Sequence, residues 1–322
     1  PLNATLQIGA GVIQPTAEAK PIPIDAARSY FTYLPQQQEI RFDELSVESK
    51  WGSGRLEGGA RLVQAANGRI EDLIGQVQLS GLRLNPADLY AEPVEISAAE
   101  LDFRLRTVPF ALELGRLQIL DRGQVLTARG KLSADRGGWD IALDAEMDGL
   151  SPARLLELWP EGVKSKSRNW INENVFAAKL SDASGALRFT QGGVPRTYLA
   201  FDFAEADVRF VKTLPPIRNG KGHGTLVDDR FVVVLDEGGV IAPEGGFVDG
   251  AGSSFIIPDV RVKPDPPGVV RLTARGSTTA ALSLLDQEPL RVMTKANLPV
   301  ALAEGAIDLS GTISLPLRKK PP

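Results

Sequence analysis

Apolar and polar residues alternate along most of this chain. From Trp139 to Met147 the odd positions read Trp, Ile, Leu, Ala and Met, while Asp140, Ala142, Asp144 and Glu146 fill the even ones. A period of two belongs to a β-strand with one face buried and the other in water. The same reading holds for Leu101–Arg106, Leu112–Leu114, Leu187–Phe189, Leu199–Phe203, Asp207–Phe210 and Ile307–Leu317. One-sided alternation predicts antiparallel sheet, because parallel strands covered on both faces read as continuous apolar runs. Turn signals at Asn67-Gly68, Arg136-Gly-Gly138, Gln191-Gly-Gly193, Asn219-Gly220, Asp228-Asp229 and Glu237-Gly-Gly239 separate the runs, as in a meander. The fold class expected is all-β, an elongated and strongly curved antiparallel sheet with a few short helices.

Helical signal is confined to short stretches. Ser151–Trp159 has Ser151 as N-cap, Pro152 at the first helical position, and Leu155, Leu158 and Trp159 on one side. Asn85-Pro86 repeats that start in miniature, and Ser167–Phe176 places Trp170, Ile171 and Val175 together. Three times a strand-like run ends in glycine (Gly81, Gly149, Gly276) and passes into such a stretch. One period of roughly 64 residues fits if a degenerate copy lies near Leu214-Pro215-Pro216. Residues 1–322 are therefore expected to form a single repeat-built segment, and Pro-rich Lys263–Gly268 reads as a loop crossing the sheet edge, not a domain linker. The start at Pro1 and the end at Lys319-Lys-Pro-Pro322 suggest a piece of something longer, with any anchor or export signal elsewhere.

Composition narrows the function. Hydrophobic residues make up 43% and charged residues 24%, a globular balance, and 36 Lys and Arg against 40 Asp and Glu give a formal charge of −4. The largest basic block is Arg318-Lys-Lys320, so nucleic acid is not an expected partner. There is no cysteine, which removes disulfides and thiolate metal sites. The longest run of aliphatic and aromatic residues, Phe231–Leu235, is far short of the roughly 18 needed to cross a bilayer as a helix.

Catalytic chemistry finds little footing. The single histidine, His223, lies in Gly220-Lys-Gly-His-Gly-Thr225, which lacks phosphate-loop spacing and reads as a solvated Gly-rich loop before a strand beginning near Leu226. Asp228-Asp229 and Asp236-Glu237 sit at strand ends or on polar phases, where solvation accounts for them better than glycosidase chemistry. Asp140, Asp144 and Glu146 share one strand face and read as a wet face more readily than as a cation site. No enzyme, metal or cofactor is expected. What remains is the apolar phase. On the order of fifteen to twenty strands would present about a thousand Å2 or more of apolar surface that something must cover. A second sheet closing a core would cover it, and so would an external apolar ligand. The low aromatic share, 6%, suits flexible aliphatic chains over the flat faces of sugars.

Leu158-Trp-Pro-Glu-Gly-Val163, followed by Ser167-Arg-Asn-Trp-Ile-Asn-Glu173 and Ser184-Gly-Ala-Leu-Arg188, resembles a segment of the AsmA-like superfamily, in particular its YhdP branch. Phe203–Phe210, Leu214-Pro-Pro-Ile217, Gly222–Leu226, Gly238-Gly-Val240, Ile257-Pro-Asp259, Leu282–Leu290 and Gly305–Gly311 look like the continuation, so the likeness covers about residues 140 to 317. The resemblance, shared with TamB relatives, implies a repeating β-groove protein of the Gram-negative periplasm. The whole protein would be anchored in the inner membrane and reach toward the outer membrane, with phospholipid carried in the groove. The partners implied are phospholipid, membranes through regions outside this segment, and inner- and outer-membrane proteins at the ends. The function expected is a section of an intermembrane lipid-transfer conduit serving outer-membrane lipid homeostasis.

On that reading the apolar phase lines the groove. Its expected members are Leu101, Phe103, Leu105, Leu112, Leu114, Ile141, Leu143, Leu187, Phe189, Phe201, Phe203, Val208, Phe210, Phe231 and Val233. An assembly factor offering a strand edge or apolar cradle to outer-membrane proteins is the main alternative. An enzyme acting on polysaccharide is a more distant one.

Overall fold

The computed structural model describes residues 1–66 and 69–317; the expected turn Asn67-Gly68 and the basic tail from Arg318 lie outside the described residues. The fold is all-β. Among the described residues β2 (Gly11–Ile13) and β3 (Ile22–Ile24) pair only with each other, and the other seventeen strands form antiparallel sheet, interrupted by four short α-helices. The chain divides into two compact units. The first comprises Pro1–Asp148, Glu157–Val163 and Ser184–Arg196, and the second Gly149–Leu156, Lys164–Ala183 and Thr197–Pro322.

In the first unit β1 (Leu2–Ile8) pairs with β4 (Ala26–Leu34), which opens a meander through β5 (Glu39–Ser49), β6 (Gly52–Ala66), β7 (Arg69–Leu84), β8 (Val94–Thr107), β9 (Phe110–Asp121), β10 (Gln124–Asp135) and β11 (Gly138–Leu150). The second half of β12 (Val175–Thr190) follows beside β11, where Gln191 N donates to Trp139 O at 2.7 Å. Each hairpin joins neighbours in sequence, as alternation with frequent turns dictates.

The β2–β3 hairpin reveals how this sheet bends. Trp139 Nε1 donates to Lys20 O at 2.9 Å, and three residues on, Ser49 Oγ donates to Pro23 O at 2.7 Å. Three residues span at most about 11 Å. β5 and β11 are six antiparallel steps apart and run the same way, with Ser49 closing one and Trp139 opening the other. In a flat sheet these residues would lie about 29 Å apart across the strands and more than about 30 Å apart along them. The short bridge closes that distance only if the sheet curls strongly.

In the second unit the first half of β12 is followed by β13 (Arg196–Val208), β14 (Ile217–Val227), β15 (Arg230–Ile241), β16 (Phe247–Asp249), β17 (Ser254–Ile257), β18 (Pro267–Ser277) and β19 (Ala306–Pro316). Asn219-Gly220 and Glu237-Gly-Gly239, expected as turns, lie inside β14 and β15. The register slips there, and Asn219 (φ 51°) and Gly238 (φ 121°) take positive φ. A bulge that takes positive φ favours the same Gly and Asn residues as a hairpin turn, so the two share a sequence signature. Gly220–Thr225, expected as a loop, is likewise part of β14.

Most of the helices follow sequence signals, although Val175 and Phe176, expected in the second, open β12. α1 (Pro152–Leu158) starts where Ser151 Oγ accepts from Arg154 N at 3.2 Å, and α2 covers Ser165–Asn174. A single 3-10 turn occupies Pro86–Asp88, and α3 (Thr278–Leu285) is capped by Ser277 Oγ, which accepts from Ala280 N at 3.1 Å. Leu214-Pro-Pro216 forms no helix, while α4 (Val292–Ala296) had no sequence signal. No described helix is long and apolar enough to cross a membrane.

Candidate functional site: two half-exposed apolar faces

Residues paired across antiparallel strands project to the same side, so the register sorts every side chain onto one of two faces. In the first unit one cross-strand row reads Leu73, Leu105, Leu112, Leu132, Ile141. The next reads Ile40, Ala60, Gly75, Phe103, Leu114, Gly130, Leu143, and a third carries Val77, Leu101, Leu117 and Ala128. Arg188 pairs with Asp144 at 2.7 Å on the opposite side, so its neighbours Leu187 and Phe189 fall on the apolar side beside Leu143. The structure thus brings nine of the expected lining residues onto one surface.

That surface is the inner one. Ser49 follows Val47 on the apolar phase and Trp139 precedes Ile141 on it, and both side chains reach the same short hairpin. Two residues of one face can touch a three-residue bridge from distant strands only if that face is concave.

The other face is charged. Arg104 grips Asp72 through Nε (3.1 Å) and Nη2 (2.5 Å), and these bonds hold the Asp72 carboxyl below its usual range against the opposing effect of burial. Arg106 pairs with Glu113, and Thr190 donates to Asp140 at 2.8 Å. Asp140 and Asp144 therefore spend their charge on cross-strand partners. Two shallow depressions also open on polar faces, one beside Glu57, Gln78, Glu100 and Asp102 and one beside Thr225, Asp228 and Arg230. No cluster of His, Asp and Glu among the described residues is placed to hold a metal ion.

The second unit repeats the division. Phe201, Gly224, Val233, Phe255, Val270 and Ile313 form one row, flanked by Phe203, Gly222, Leu235 and by Leu226 with Phe231. Val208 joins through Ile217, Val240 and Val248. Phe210 does not. β13 ends at Val208, and Phe210 lies in the following bend, 46% exposed. Ion pairs Lys221–Glu237 (2.9 Å) and Arg218–Asp207 (2.6 Å) and a His223–Asp236 hydrogen bond (3.0 Å) occupy the other side, which Val232 and Ile256 interrupt with a small apolar group. α3 docks on one end of the apolar face, where Ala280 and Leu284 meet Val240, Val248 and Ala274. It is held by Ser283 Oγ, which donates to Glu244 O at 3.0 Å.

Neither face is sealed. Among the described residues the buried hydrophobic side chains are mostly alanines, and no large side chain is fully buried. The other fourteen expected lining residues are all half-buried, in a condition between core and surface. Alternation pointed to them but missed Phe42, Leu45, Leu117 and Ile119, which lie on the same surface beyond a register slip. Their signal is the slip itself. Apolar positions run 40, 42, then 45, 47 in β5, and 112, 114, then 117, 119 in β9, because a bulge adds one residue and reverses the phase. No family model matches the chain, and neither a curated protein nor a solved structure does.

Proposed function

We propose that the chain binds the acyl chains of phospholipid along its apolar faces, as a section of a periplasmic conduit passing lipid between two membranes. The observation that carries this reading is the half-buried state of two apolar faces, the first unit's concave, each backed by a charged one. A folded core would bury such side chains completely, since about 25 cal/mol is gained per Å2 removed from water. A chain of about ten methylenes laid on that surface recovers about 8 kcal/mol, at roughly 0.8 kcal/mol per CH2. The phosphate headgroup stays in water, because desolvating it would cost many kcal/mol. Nothing in such a track stores energy, so movement along it is diffusive. The YhdP-like and AsmA-like motifs of residues 140 to 317 supply the membrane context for this proposal.

Purified protein analysed by native mass spectrometry is expected to carry phospholipid. Leu143→Asp and Phe203→Asp place a charge on the first and second units' apolar faces and are expected to reduce bound lipid at least tenfold while circular dichroism stays that of sheet. Undiminished lipid in both variants would refute the assignment. β19, exposed along nearly all its length and paired only with β18 among the described strands, favours a second reading, capture of an unfolded outer-membrane strand. Peptide in place of lipid in the same spectrum would select it.

A further inference from the structure

The β2–β3 hairpin does not extend the sheet of the first unit; it lies against the inner surface. Its turn, residues 14–20, reaches the apolar side of β9–β11, where Ala19 (1% exposed) packs with Ala134 and Trp139 (8% exposed), bordered by Ile22, Phe110 and Leu132. Leu132 and Trp139 belong to the apolar face, so the hairpin covers part of the surface on which an acyl chain would lie. The fastening is mostly polar and peripheral. Gln191 donates through Nε2 to Glu18 O at 2.8 Å and accepts from Lys20 N at 3.2 Å. Thr16 Oγ1 donates to Asp135 O at 3.1 Å, and Trp139 and Ser49 supply the remaining two bonds. Few apolar groups anchor it, since Val12 is 59% exposed and Ile13 is exposed as well. On the N-terminal side Gly9 and Gly11 stand in open space, with no atom within 4 Å of where a Cβ would sit. A segment with one small apolar plug, hydrogen bonds that are exposed in three cases of five, and a glycine hinge belongs to the low-stability end of a fold, where local opening occurs.

From this arrangement we infer that the hairpin is a strap that gates the first unit's trough. Closed, with Ala19 seated against Trp139, it blocks the inner surface of β9–β11. Lifted at Gly9–Gly11, it opens that surface to an acyl chain. The inference rests on the lipid-binding reading and adds regulation to it.

The chain has no cysteine, so a single engineered pair reports cleanly. Ala19→Cys with Ala134→Cys joins strap to floor when oxidised. The probe is a photo-crosslinkable phosphatidylcholine in vesicles, with adducts mapped by mass spectrometry to residues 110–147. Oxidised protein is expected to lose at least tenfold of those adducts and to recover them on reduction. Gln191→Ala, which removes two fastenings and leaves the apolar face intact, is expected to raise the adduct rate severalfold even if the cysteine pair folds poorly. Equal labelling of oxidised and reduced protein, or an unchanged rate in Gln191→Ala, overturns the gate while leaving lipid binding in place. Wild-type protein that takes no adduct anywhere overturns the lipid reading and the gate together.

Discussion

Phe103, Phe201 and Phe203 each lie over a glycine of the neighbouring strand. A Cβ at Gly75 would come within 2.7 Å of the Phe103 ring, and one at Gly222 within 2.8 Å of Phe203. Glycine in a strand costs roughly 0.5–1 kcal/mol relative to alanine, and here a ring packed on bare backbone offsets the loss. The rings lie over the neighbouring strand's backbone, which keeps the apolar surface low. This pairing gives Gly220-Lys-Gly-His-Gly its meaning. The glycines at 222 and 224 make room for two phenylalanines, while Lys221 and His223 pair outward with Glu237 and Asp236. On the charged side of the first unit, Asp72 is only 7% exposed and held in its charged form by Arg104. Its carboxyl is depressed in the folded chain, so its contribution is complete above the unfolded value of about 3.9 and is lost as pH falls through the depressed one. Denaturant unfolding from pH 6 to pH 2 is expected to show a flatter acid limb for Asp72→Asn than for wild type. Parallel curves would show that the pair contributes nothing to acid stability.

Single-residue bulges hold the strands in phase with their neighbours. In β9 the register passes from Leu114 opposite Phe103 to Arg116 opposite Asp102, which leaves Gly115 as the extra residue. Without it, Leu112 and Leu114 would face water if Leu117 and Ile119 faced inward, because a one-residue slip turns every following side chain over. Deleting Gly115 is expected to cost more than about 4 kcal/mol, the range reserved for core-disrupting changes. Thermal melts followed by circular dichroism read this directly, and a melting temperature near wild type would contradict the register. The helix start at Ser151-Pro152 was legible because a cap and a proline act within one turn of chain, and the stretch after Gly276 was legible from its likeness to it. The β2–β3 strap was not legible. Its residues Val12, Ile13 and Ile22 make too short a pattern to distinguish a strand from a loop, and its partners Asp135, Trp139 and Gln191 are more than a hundred positions away.

Each unit is a sheet covered on its apolar side only locally, by the β2–β3 hairpin in the first and by α3 in the second, and that accounts for the unfilled remainder. A ligand that binds only the folded form stabilises it by about 2.7 kcal/mol at a hundred times its dissociation constant. For units of this size that corresponds to roughly 5–10 °C. Delipidated protein is expected to melt lower by about that amount and to regain the difference on adding phosphatidylcholine; no shift would count against acyl binding.

The residue order alone determined most of the strands, their antiparallel pairing and the split into an oily side and a charged side, since a period of two is a local property of extended backbone. It did not determine which side curves inward, because alternation is symmetric between the two directions of bending. That is visible only in the tertiary structure, where Trp139 reaches Lys20, 119 residues away, and Ser49 reaches Pro23 from the same apolar side, contacts that exist only once the strands have been brought together in space.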